Sequence, residues 1–224
     1  RTPLNAINGI TYLLLQEKPK ASQLNYLKSL EFSGNYLLNF INDILEINRL
    51  ESDKVVIEKI NFNLSELTKN IVISFKEFIH ENNIKCHLNF DETIDCNLKG
   101  DPTKLSQILI NLLNNAIKFS KNGDVWCTIK KKNETNNNLT IYFEIKDNGI
   151  GIPKDKQDAI FDSFSQGSVE INRTYGGTGL GLSIVKKILE LMGSQIHLQS
   201  ESGKGSTFSF ELQFEDRKST RLNS

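Results

Sequence analysis

The spacing of apolar residues divides the sequence into two regions of different secondary structure. Up to about Glu51 the pattern is helical: a first helix is expected to end near Gln16, before Pro19, and a longer one follows with Ser22 as its N-cap. In the second helix the apolar residues recur at steps of three, four and seven and so share one face: Leu27, Leu30, Leu37, Ile41 and Ile44. Gly34 lies on that face, where it would let another helix approach closely.

A hairpin of two helices cannot bury such an apolar face by itself. Pairing with a second copy would give a four-helix bundle. We favour this dimer because the region that follows carries enough apolar residues for a core of its own. The alternative is that the hairpin packs on the rest of its own chain.

From about Val55 onwards, strand patterns and helix patterns alternate. Strands are expected at "VVIEKINFNL", "IKCHLNF", "VWCTIKKK", "LTIYFEIKD", "SQIHLQS" and "STFSFELQF". Helices are expected from Ser65 (as N-cap) to about His80, from Asp101-Pro102 to about Ser120, and from Gly181 to about Met192. This order predicts an α+β sandwich, in which helices cover one face of a mixed sheet.

The composition excludes some classes of function. Lys+Arg and Asp+Glu both number 27, so the net charge is zero, which argues against nucleic acid as the main partner. No apolar run approaches the roughly 18 residues that span a membrane. Three cysteines without paired spacing, Cys86, Cys96 and Cys127, are typical of reduced core thiols. The sequence does not begin with Met, so we expect the true N-terminus to be missing.

The stretch "NLLNNAIKFS" places two amides and an ammonium on one helix face. Asn111, Asn115 and Lys118 are spaced by four and three residues, whereas Leu109 and Leu112 belong to the core face. An amide oxygen suits magnesium, and a lysine suits a phosphate oxygen. The alternative is an ordinary solvated helix face.

The stretch "DNGIGIP" follows directly on the alternating strand that ends at Asp147. Gly149 and Gly151 allow a sharp turn and the close approach of a flat ligand. A buried carboxylate there could accept a hydrogen bond from an exocyclic amine such as that of adenine. The alternative is a common Asn-Gly turn.

A glycine-rich segment, "RTYGGTGLGLS", precedes the last predicted helix. Its glycines, followed by the exposed N–H groups of a helix start, are typical of an anion site: Gly176, Gly177, Gly179 and Gly181. It is neither a Walker loop nor the dinucleotide pattern. Arg173 is placed to add charge to a phosphate; the alternative is a glycine-rich tight turn.

The stretch "IFDSFSQGS" lies between these two loops. Phe161 and Phe164 are three residues apart on a short helical turn. We expect both to anchor a mobile segment to the core, as the hinge of a lid over a nucleotide.

Taken in order, these motifs resemble the catalytic core of sensor histidine kinases of the GHKL ATPase superfamily. The resemblance runs from Arg1 to about Phe214 and includes the opening "RTPLNAI". It implies a dimerisation and histidine-phosphotransfer hairpin over residues 1–53, half of a dimeric four-helix bundle. A GHKL-type ATP-binding sandwich would follow over 54–215, and residues 216–224 would be a disordered or non-native tail.

The resemblance also implies roles for individual residues. Those at the base would be Asp147, which reads the adenine amine, with Phe119, Gly149, Gly151, Ile152 and Thr207. Those at the phosphates would be Lys118, Arg173, Gly177, Thr178, Gly179, Leu180 and Gly181. Asn115 would bind Mg²⁺, and Asn111 would lie near the γ-phosphate as a catalytic residue.

The implied reaction is transfer of the γ-phosphoryl of ATP to a histidine of the hairpin and then to an aspartate of a response regulator receiver domain. Thr2 would help to orient a water that dephosphorylates the regulator. The resemblance places the acceptor histidine just before Arg1, outside this sequence, since His80, His87 and His197 stand in other contexts. We expect a cytoplasmic domain, whose complete protein could be anchored in the inner membrane.

Two alternatives stay open. One is an ATP-binding and dimerisation module without kinase activity. The other is a different GHKL ATPase, of the topoisomerase, mismatch-repair or chaperone type, against which "RTPLN" and "FDSF" argue.

Overall fold

The structure is a computed structural model that describes residues 2–51, 55–94, 97–135, 138–164 and 178–216. It begins with two helices, α1 (Thr2–Gln16) and α2 (Ala21–Glu51). The prediction of Ser22 as N-cap is wrong, because α2 already begins at Ala21. The side chain of Gln23 reaches back instead and accepts a hydrogen bond from the Lys20 N–H at 3.1 Å, as in half of a capping box.

The two helices pack closely at Gly34, as its position on the apolar face predicted. A Cβ atom at residue 34 would lie 1.9 Å from Oδ1 of Asn8. The same Asn8 donates from Nδ2 to Oδ1 of Asn35 at 2.9 Å. At this point of the contact between the helices, the Asn8–Asn35 amide pair therefore lies directly against the backbone of Gly34.

The described residues from 55 onwards form the mixed α+β layer structure that the sequence predicted. Its strands are β1 (Ile60–Asn63), β2 (Lys85–Phe90), β3 (Asn97–Gly100), β4 (Asp124–Glu134), β5 (Asn138–Asp147), β6 (His197–Glu201) and β7 (Gly205–Asp216). Its helices are α3 (Leu64–Ser74), α4 (Lys76–Glu81), α5 (Pro102–Phe119) and α6 (Gly181–Leu191), with short 3₁₀ turns at Lys154–Lys156 and Ala159–Phe161. The described strands are ordered β1-β3-β7-β5-β4-β2, and β6 pairs with the start of β7. Only β2 and β4 run parallel in this sheet; the other described pairs are antiparallel.

Several boundaries differ from the sequence-based expectation. The first strand begins only at Ile60, and α3 begins at Leu64 with Asn63 as its N-cap, not Ser65. Oδ1 of Asn63 accepts from the Glu66 N–H at 2.9 Å. The predicted helix 65–80 is interrupted at Phe75, and β3 was not predicted, since it has four residues and buries one leucine. Strand β7 continues to Asp216, one residue past the expected end of the sandwich.

The core lies between the sheet and its helices. Alternate residues of β5 from Leu139 to Ile145 are buried, and the ring of Phe143 stacks on that of Phe210 in β7 at 4.9 Å. The buried face of α5 is the predicted one: Leu105, Leu109, Leu112 and Ala116 are all buried. The opposite face of the sheet carries polar side chains and the half-exposed Trp126, against which His87 stacks at 5.5 Å.

The hairpin meets the sandwich through the last part of α2. Leu50 is buried in the shared core, and Phe40, Ile44 and Ile47 pack against it. Glu46 forms a half-buried ion pair with Lys104 at the start of α5, with 2.6 Å between Oε1 and Nζ. The alternative in which the hairpin packs on its own chain therefore holds for this half of the apolar face. In the other half of the face, Leu30 and Leu37 stay exposed.

Among the helices that the structure describes, none combines the length and the apolar composition needed to cross a membrane.

Candidate functional site

A carboxylate ends the buried alternation of β5. Asp147 lies two residues after Ile145 on the strand, so its side chain points to the same, core-facing side of the sheet. It is only 5% exposed. Its Oδ1 accepts two backbone hydrogen bonds, from the Gly149 N–H at 2.9 Å and the Ser206 N–H at 3.2 Å. Both donors that hold Oδ1 belong to the protein, so Oδ2 is the oxygen left for a ligand.

Burial raises the pKa of Asp147 above its ordinary value of 3.8, while the N–H donors of Gly149 and Ser206 and the nearby Ser120 hydroxyl lower it. A buried acceptor in this setting fits a neutral donor such as an amine of a purine base. A second carboxylate or a phosphate would be repelled.

Gly149 and Gly151 shape the turn that follows the strand, each for a different reason. A Cβ at residue 149 would lie 2.1 Å from the carbonyl oxygen of Phe119, so only a glycine lets the turn rest on the end of α5. Gly151 has φ of +64°, and a Cβ there would lie 2.0 Å from the carbonyl oxygen of Glu201. The turn is further fixed by the Ile152 N–H, which donates to Oγ of Ser200 at 2.8 Å. The two glycines thus let the turn pack against the backbone of Phe119 and Glu201. The close approach of a flat ligand, which the sequence suggested, is a separate use of the same glycines.

The polar face of α5 lies beside this turn. Asn111, Asn115, Lys118 and Phe119 are all half-buried, in contrast to the exposed Asn114 between them. Nζ of Lys118 lies over the ring of Phe119, 4.7 Å from its centroid, and burial lowers the pKa of this lysine. The predicted grouping of two amides and an ammonium is therefore present, and it is not an ordinary solvated face.

The start of α6 closes the other end of the same helix face. A Cβ at Gly181 would lie 3.1 Å from Oδ1 of Asn111, so the first residue of α6 meets α5 directly. Gly179 has φ of +73°. The side chain of Leu180 is fully buried in the core, so only its backbone could serve a phosphate. The predicted residues Arg173 and Gly177 lie outside the described residues.

Thr178 is bound to the hairpin. Its Oγ1 donates to Oδ2 of Asp43 in α2 at 2.6 Å and accepts from the Leu180 N–H at 3.2 Å. Burial raises the pKa of Asp43, whereas the hydrogen bond from Thr178 lowers it. A contact between this hydroxyl and a phosphate would have to compete with Asp43.

The two phenylalanines of "FDSF" have different surroundings. Phe161 ends a 3₁₀ turn and packs edge-on against Phe208 of the core at 6.4 Å. Phe164 lies beyond that turn, is 61% exposed, and contacts Phe40 of the hairpin at 6.4 Å. Phe161 is placed as an anchor to the sandwich core, whereas Phe164 is placed against α2.

Thr207 and Asp147 line the same depression, but their side chains lie on opposite faces of the sheet. Thr207 is in register with Lys146, so it takes the sheet face opposite to Asp147. Ser206 takes the core side instead, is 6% exposed and donates its N–H to the carboxylate. Side chains of a strand alternate between the two faces of the sheet, so Ser206 lies on the same face as the buried Phe208 and Phe210. This alternation would have selected Ser206 from the sequence.

Thr2 is the first residue of α1 and is exposed there. The histidines lie in α4, β2 and β6, at His80, His87 and His197, and none of them is in the hairpin. The ring of His87 is engaged by Oδ1 of Asp124 at 2.8 Å. These placements agree with the interpretation of the three histidines as ordinary.

The donor set for a cation consists of amides. Within the described ranges no group of three or more His, Cys, Asp or Glu side chains could hold a metal ion. Asn111 and Asn115 offer neutral amide oxygens, which fit Mg²⁺ only as a hydrated ion that is also bound by a ligand's phosphates.

Comparison with known proteins agrees with this fold and this arrangement of motifs. Residues 100–216 match the family described as histidine kinase-, DNA gyrase B- and HSP90-like ATPase, and residues 1–53 match the His Kinase A (phospho-acceptor) domain. The chain is 38% identical over 212 residues to the signal transduction histidine-protein kinase BarA of Escherichia coli, covering 95% of this chain and 23% of that protein. It thus spans about a quarter of the length of that relative.

Two solved structures extend the comparison. Full-length ShkA in complex with AMPPNP superposes with a TM-score of 0.77 at 30% identity, covering 96% of this chain and 44% of that one. The histidine kinase ThkA in complex with the response regulator protein TrrA superposes with a TM-score of 0.63 at 26% identity, covering 94% of this chain and 57% of that one.

The match of residues 100–216 to the ATPase family spans more than half of the chain. The chain belongs to the family of histidine kinase-, DNA gyrase B- and HSP90-like ATPases.

The buried charge at Asp147 makes a prediction about stability. Because the pKa of Asp147 is raised in the folded chain, the folded state holds its proton more tightly than the unfolded state does. The ionised carboxylate therefore costs stability above its folded pKa, and the cost disappears below the unfolded value near 3.8. We expect Asp147→Asn to unfold at a higher temperature than the parent at pH 7 to 8, with a difference that shrinks as the pH is lowered.

Thermal unfolding followed by circular dichroism between pH 8 and pH 4 measures this difference. The exposed Asp155→Asn serves as the control and should show no such trend. A midpoint for Asp147→Asn equal to or below that of the parent at every pH would contradict the assignment of a buried, destabilising charge.

Proposed function

We propose that this chain is the catalytic core of an ATP-dependent protein histidine kinase of two-component signalling. In the proposed reaction it binds ATP, transfers the γ-phosphoryl to a histidine of a helical hairpin, and supports onward transfer to an aspartate of a response regulator. The observation that carries the proposal is that α5 touches both glycine segments: the Phe119 carbonyl contacts Gly149, and Asn111 contacts Gly181. This arrangement supports a site in which a carboxylate would read the base amine at one end of a polar helix face and a glycine loop would bind phosphate at the other.

The base end of the proposed site is the Asp147 carboxylate. Its Oδ2 would accept the exocyclic amine of adenine, while Oδ1 stays fixed by its two backbone donors. Gly149, Gly151 and Ile152 form the turn beside it, and Phe119 lies next along α5. A guanine presents a carbonyl oxygen where adenine presents the amine, so a carboxylate acceptor would select against it.

The phosphate end of the proposed site is formed by Lys118, the start of α6 and the two asparagines. Phosphoryl transfer requires positioning and neutralisation of charge more than covalent chemistry by the protein. Mg²⁺, when bound, would neutralise the phosphate oxygens, and Asn115 would supply one of its oxygen ligands. Arg173 and Gly177 stay as predictions for the same phosphates.

The comparisons support the kinase over the other members of the superfamily. The hairpin matches the His Kinase A (phospho-acceptor) domain. This match favours a histidine kinase over a topoisomerase or chaperone ATPase. The ShkA structure contains AMPPNP, and the ThkA structure contains a response regulator; we propose a nucleotide and a receiver domain of the same kinds as partners here.

Binding of the nucleotide is the first test. We expect calorimetry to give micromolar binding of Mg-ATP by the 224-residue chain. Asn115→Ala and Asp147→Asn should each weaken it by about tenfold or more, since each removes a hydrogen-bonding or ligand contact to a charged or buried group.

Asn114→Ala is the matched control, because Asn114 is the exposed neighbour of Asn115 on the same helix. Binding by both site variants at the strength of the parent would contradict the proposed site. A preference for Mg-GTP over Mg-ATP would contradict the role of Asp147.

Transfer of the phosphoryl group is the second test, and it separates a kinase from a binding module. The hairpin of this chain contains no histidine, so the chain alone should form no phosphohistidine. A chain lengthened before Arg1 to include a histidine should take up acid-labile, alkali-stable phosphate from γ-labelled ATP.

In that lengthened chain, replacing the added histidine with glutamine should abolish the label, and Asn111→Ala should reduce it strongly. Hydrolysis of ATP without any labelled histidine would favour a different type of ATPase.

Dimerisation through the hairpin is part of the proposal. Large apolar side chains stay exposed on α1 and on α2 up to Leu37: Ile10, Tyr12, Leu13, Leu14, Tyr26, Leu30 and Leu37. Such a set on two packed helices is larger than the scattered apolar exposure of a monomer, and a second hairpin would bury it.

Sedimentation velocity tests this dimer. The parent should sediment as a dimer at micromolar concentration, and Leu30→Glu should shift it towards the monomer because a charge would enter the bundle core. Lys28→Glu is the control, because residue 28 lies about 200° around the same helix from Leu30, and it should leave the dimer intact. A parent that stays monomeric at high concentration would contradict this part.

A further inference from the structure

Ser120 is a buried hydroxyl that the proposed function does not use. It is the C-cap of α5, 1% exposed, and its Oγ makes no hydrogen bond of ordinary geometry with any residue that the structure describes. A buried hydroxyl without a partner costs free energy, so its presence at this position calls for a ligand or a partner that engages it.

The surroundings of Ser120 are those of the base end of the site. Its Oγ lies 2.9 Å from the position that a Cβ of Gly149 would occupy, which is inside the turn that Gly149 makes on α5. The Ser120 carbonyl accepts from the Gly123 N–H at 2.8 Å, so the residue is fixed from the other side as well. The hydroxyl therefore lies on a fixed backbone beside Asp147, the carboxylate that the proposed function assigns to the base amine.

The two oxygens of Asp147 are not equivalent. Both hydrogen bonds of ordinary geometry that described residues donate to the carboxylate go to Oδ1. Oδ2 is the oxygen that would accept the base amine. Each carboxylate oxygen has two lone pairs, so Oδ2 can accept a hydrogen bond from a hydroxyl as well as one from the base amine. The bond from the hydroxyl would fix the plane of the carboxylate.

We propose that Ser120 is a positioning residue for purine recognition, whose hydroxyl donates to the Asp147 carboxylate when an adenine nucleotide is bound. The hydrogen bond aims Oδ2 at the exocyclic amine and keeps the carboxylate ionised as an acceptor. This inference rests on the proposed function, because it assumes that Asp147 reads the base.

The charged groups around Asp147 do not take this role. Lys146 precedes it on β5, and Glu201 and Lys204 line the adjacent depression as an ion pair of 2.7 Å. On β4, Asp124 is engaged by His87 at 2.8 Å, and on α5 Nζ of Lys118 lies over the ring of Phe119.

The pKa of Asp147 is set by burial and by its hydrogen bonds, not by these charges, and the Ser120 hydroxyl is one of the groups that lower it. Loss of the hydroxyl therefore moves the titration of Asp147 to higher pH.

The test is the pH dependence of Mg-ADP binding by the 224-residue chain, measured by calorimetry from pH 8 to pH 5. Binding should weaken as the pH falls and Asp147 takes up a proton. Ser120→Ala should bind about fivefold to tenfold more weakly at pH 7, and its acid midpoint should lie at higher pH than that of the parent.

Ser106→Ala is the matched control, because the Ser106 hydroxyl on the same helix donates only to the Pro102 carbonyl. It should change neither quantity. The titration of the nucleotide itself is common to all variants and cancels in the comparison.

The outcomes separate this inference from the function on which it rests. Suppose that the parent binds Mg-ADP, that Asp147→Asn abolishes binding, and that Ser120→Ala binds with the affinity and acid midpoint of the parent. That result overturns this inference and leaves the proposed function standing. A loss of affinity with an unchanged midpoint also overturns it, since that result indicates packing. Absence of binding by the parent contradicts the proposed function, and the inference falls with it. If Ser120→Ala does not fold, Ser120→Cys, which keeps the volume but donates weakly, decides by the same criteria.

Discussion

The contact between the turn after β5 and the last carbonyl groups of α5 is the constraint on which the site depends. Gly149 rests on the Phe119 carbonyl, and the Ile150 N–H donates to the same oxygen at 3.2 Å. This contact holds the carboxylate of Asp147 beside the helix that carries the two asparagines and Lys118. A side chain at residue 149 would push the turn away and separate the base end of the site from the phosphate end.

The second coupling in the molecule joins the hairpin to the glycine-rich segment. Asp43 of α2 holds the Thr178 hydroxyl, Phe40 contacts Phe164, and Glu46 pairs with Lys104 at the start of α5. These contacts lie along one side of α2, on the part of it whose apolar residues pack into the shared core. The orientation of the hairpin and the conformation of residues 178–180, just before α6, are therefore linked physically, since the hydrogen bond between Thr178 and Asp43 joins them.

Much of this arrangement could be predicted from the sequence, because its signals are local. The alternation of β5 leads directly to Asp147, and the steps of four and three on α5 group Asn111, Asn115 and Lys118. The exposed half of the hairpin face was also visible in the pattern. The attachment of its other half to the sandwich was not, because apolar periodicity does not tell which partner a face will take.

The misses have physical causes of the same kind. The Thr207 prediction is one residue away from Ser206, which faces the carboxylate, and a shift of one residue in a strand exchanges its two faces. Ser120 gave no signal in the sequence, because its importance arises from a turn brought to it from another part of the chain. The helix break after Ser74 involves a single residue, which does not disturb the apolar periodicity. Strand β3 has four residues, too few to show a periodic pattern.

The most direct test of the account is to map the amide signals of the ¹⁵N-labelled chain during a titration with Mg-AMPPNP. The account predicts that the largest shifts fall on Gly149, Gly151, Ser206 and Gly181, at both ends of the polar face of α5. Shifts concentrated around Trp126 and Lys146 on the opposite face of the sheet, with Gly149 and Gly181 unchanged, would contradict it.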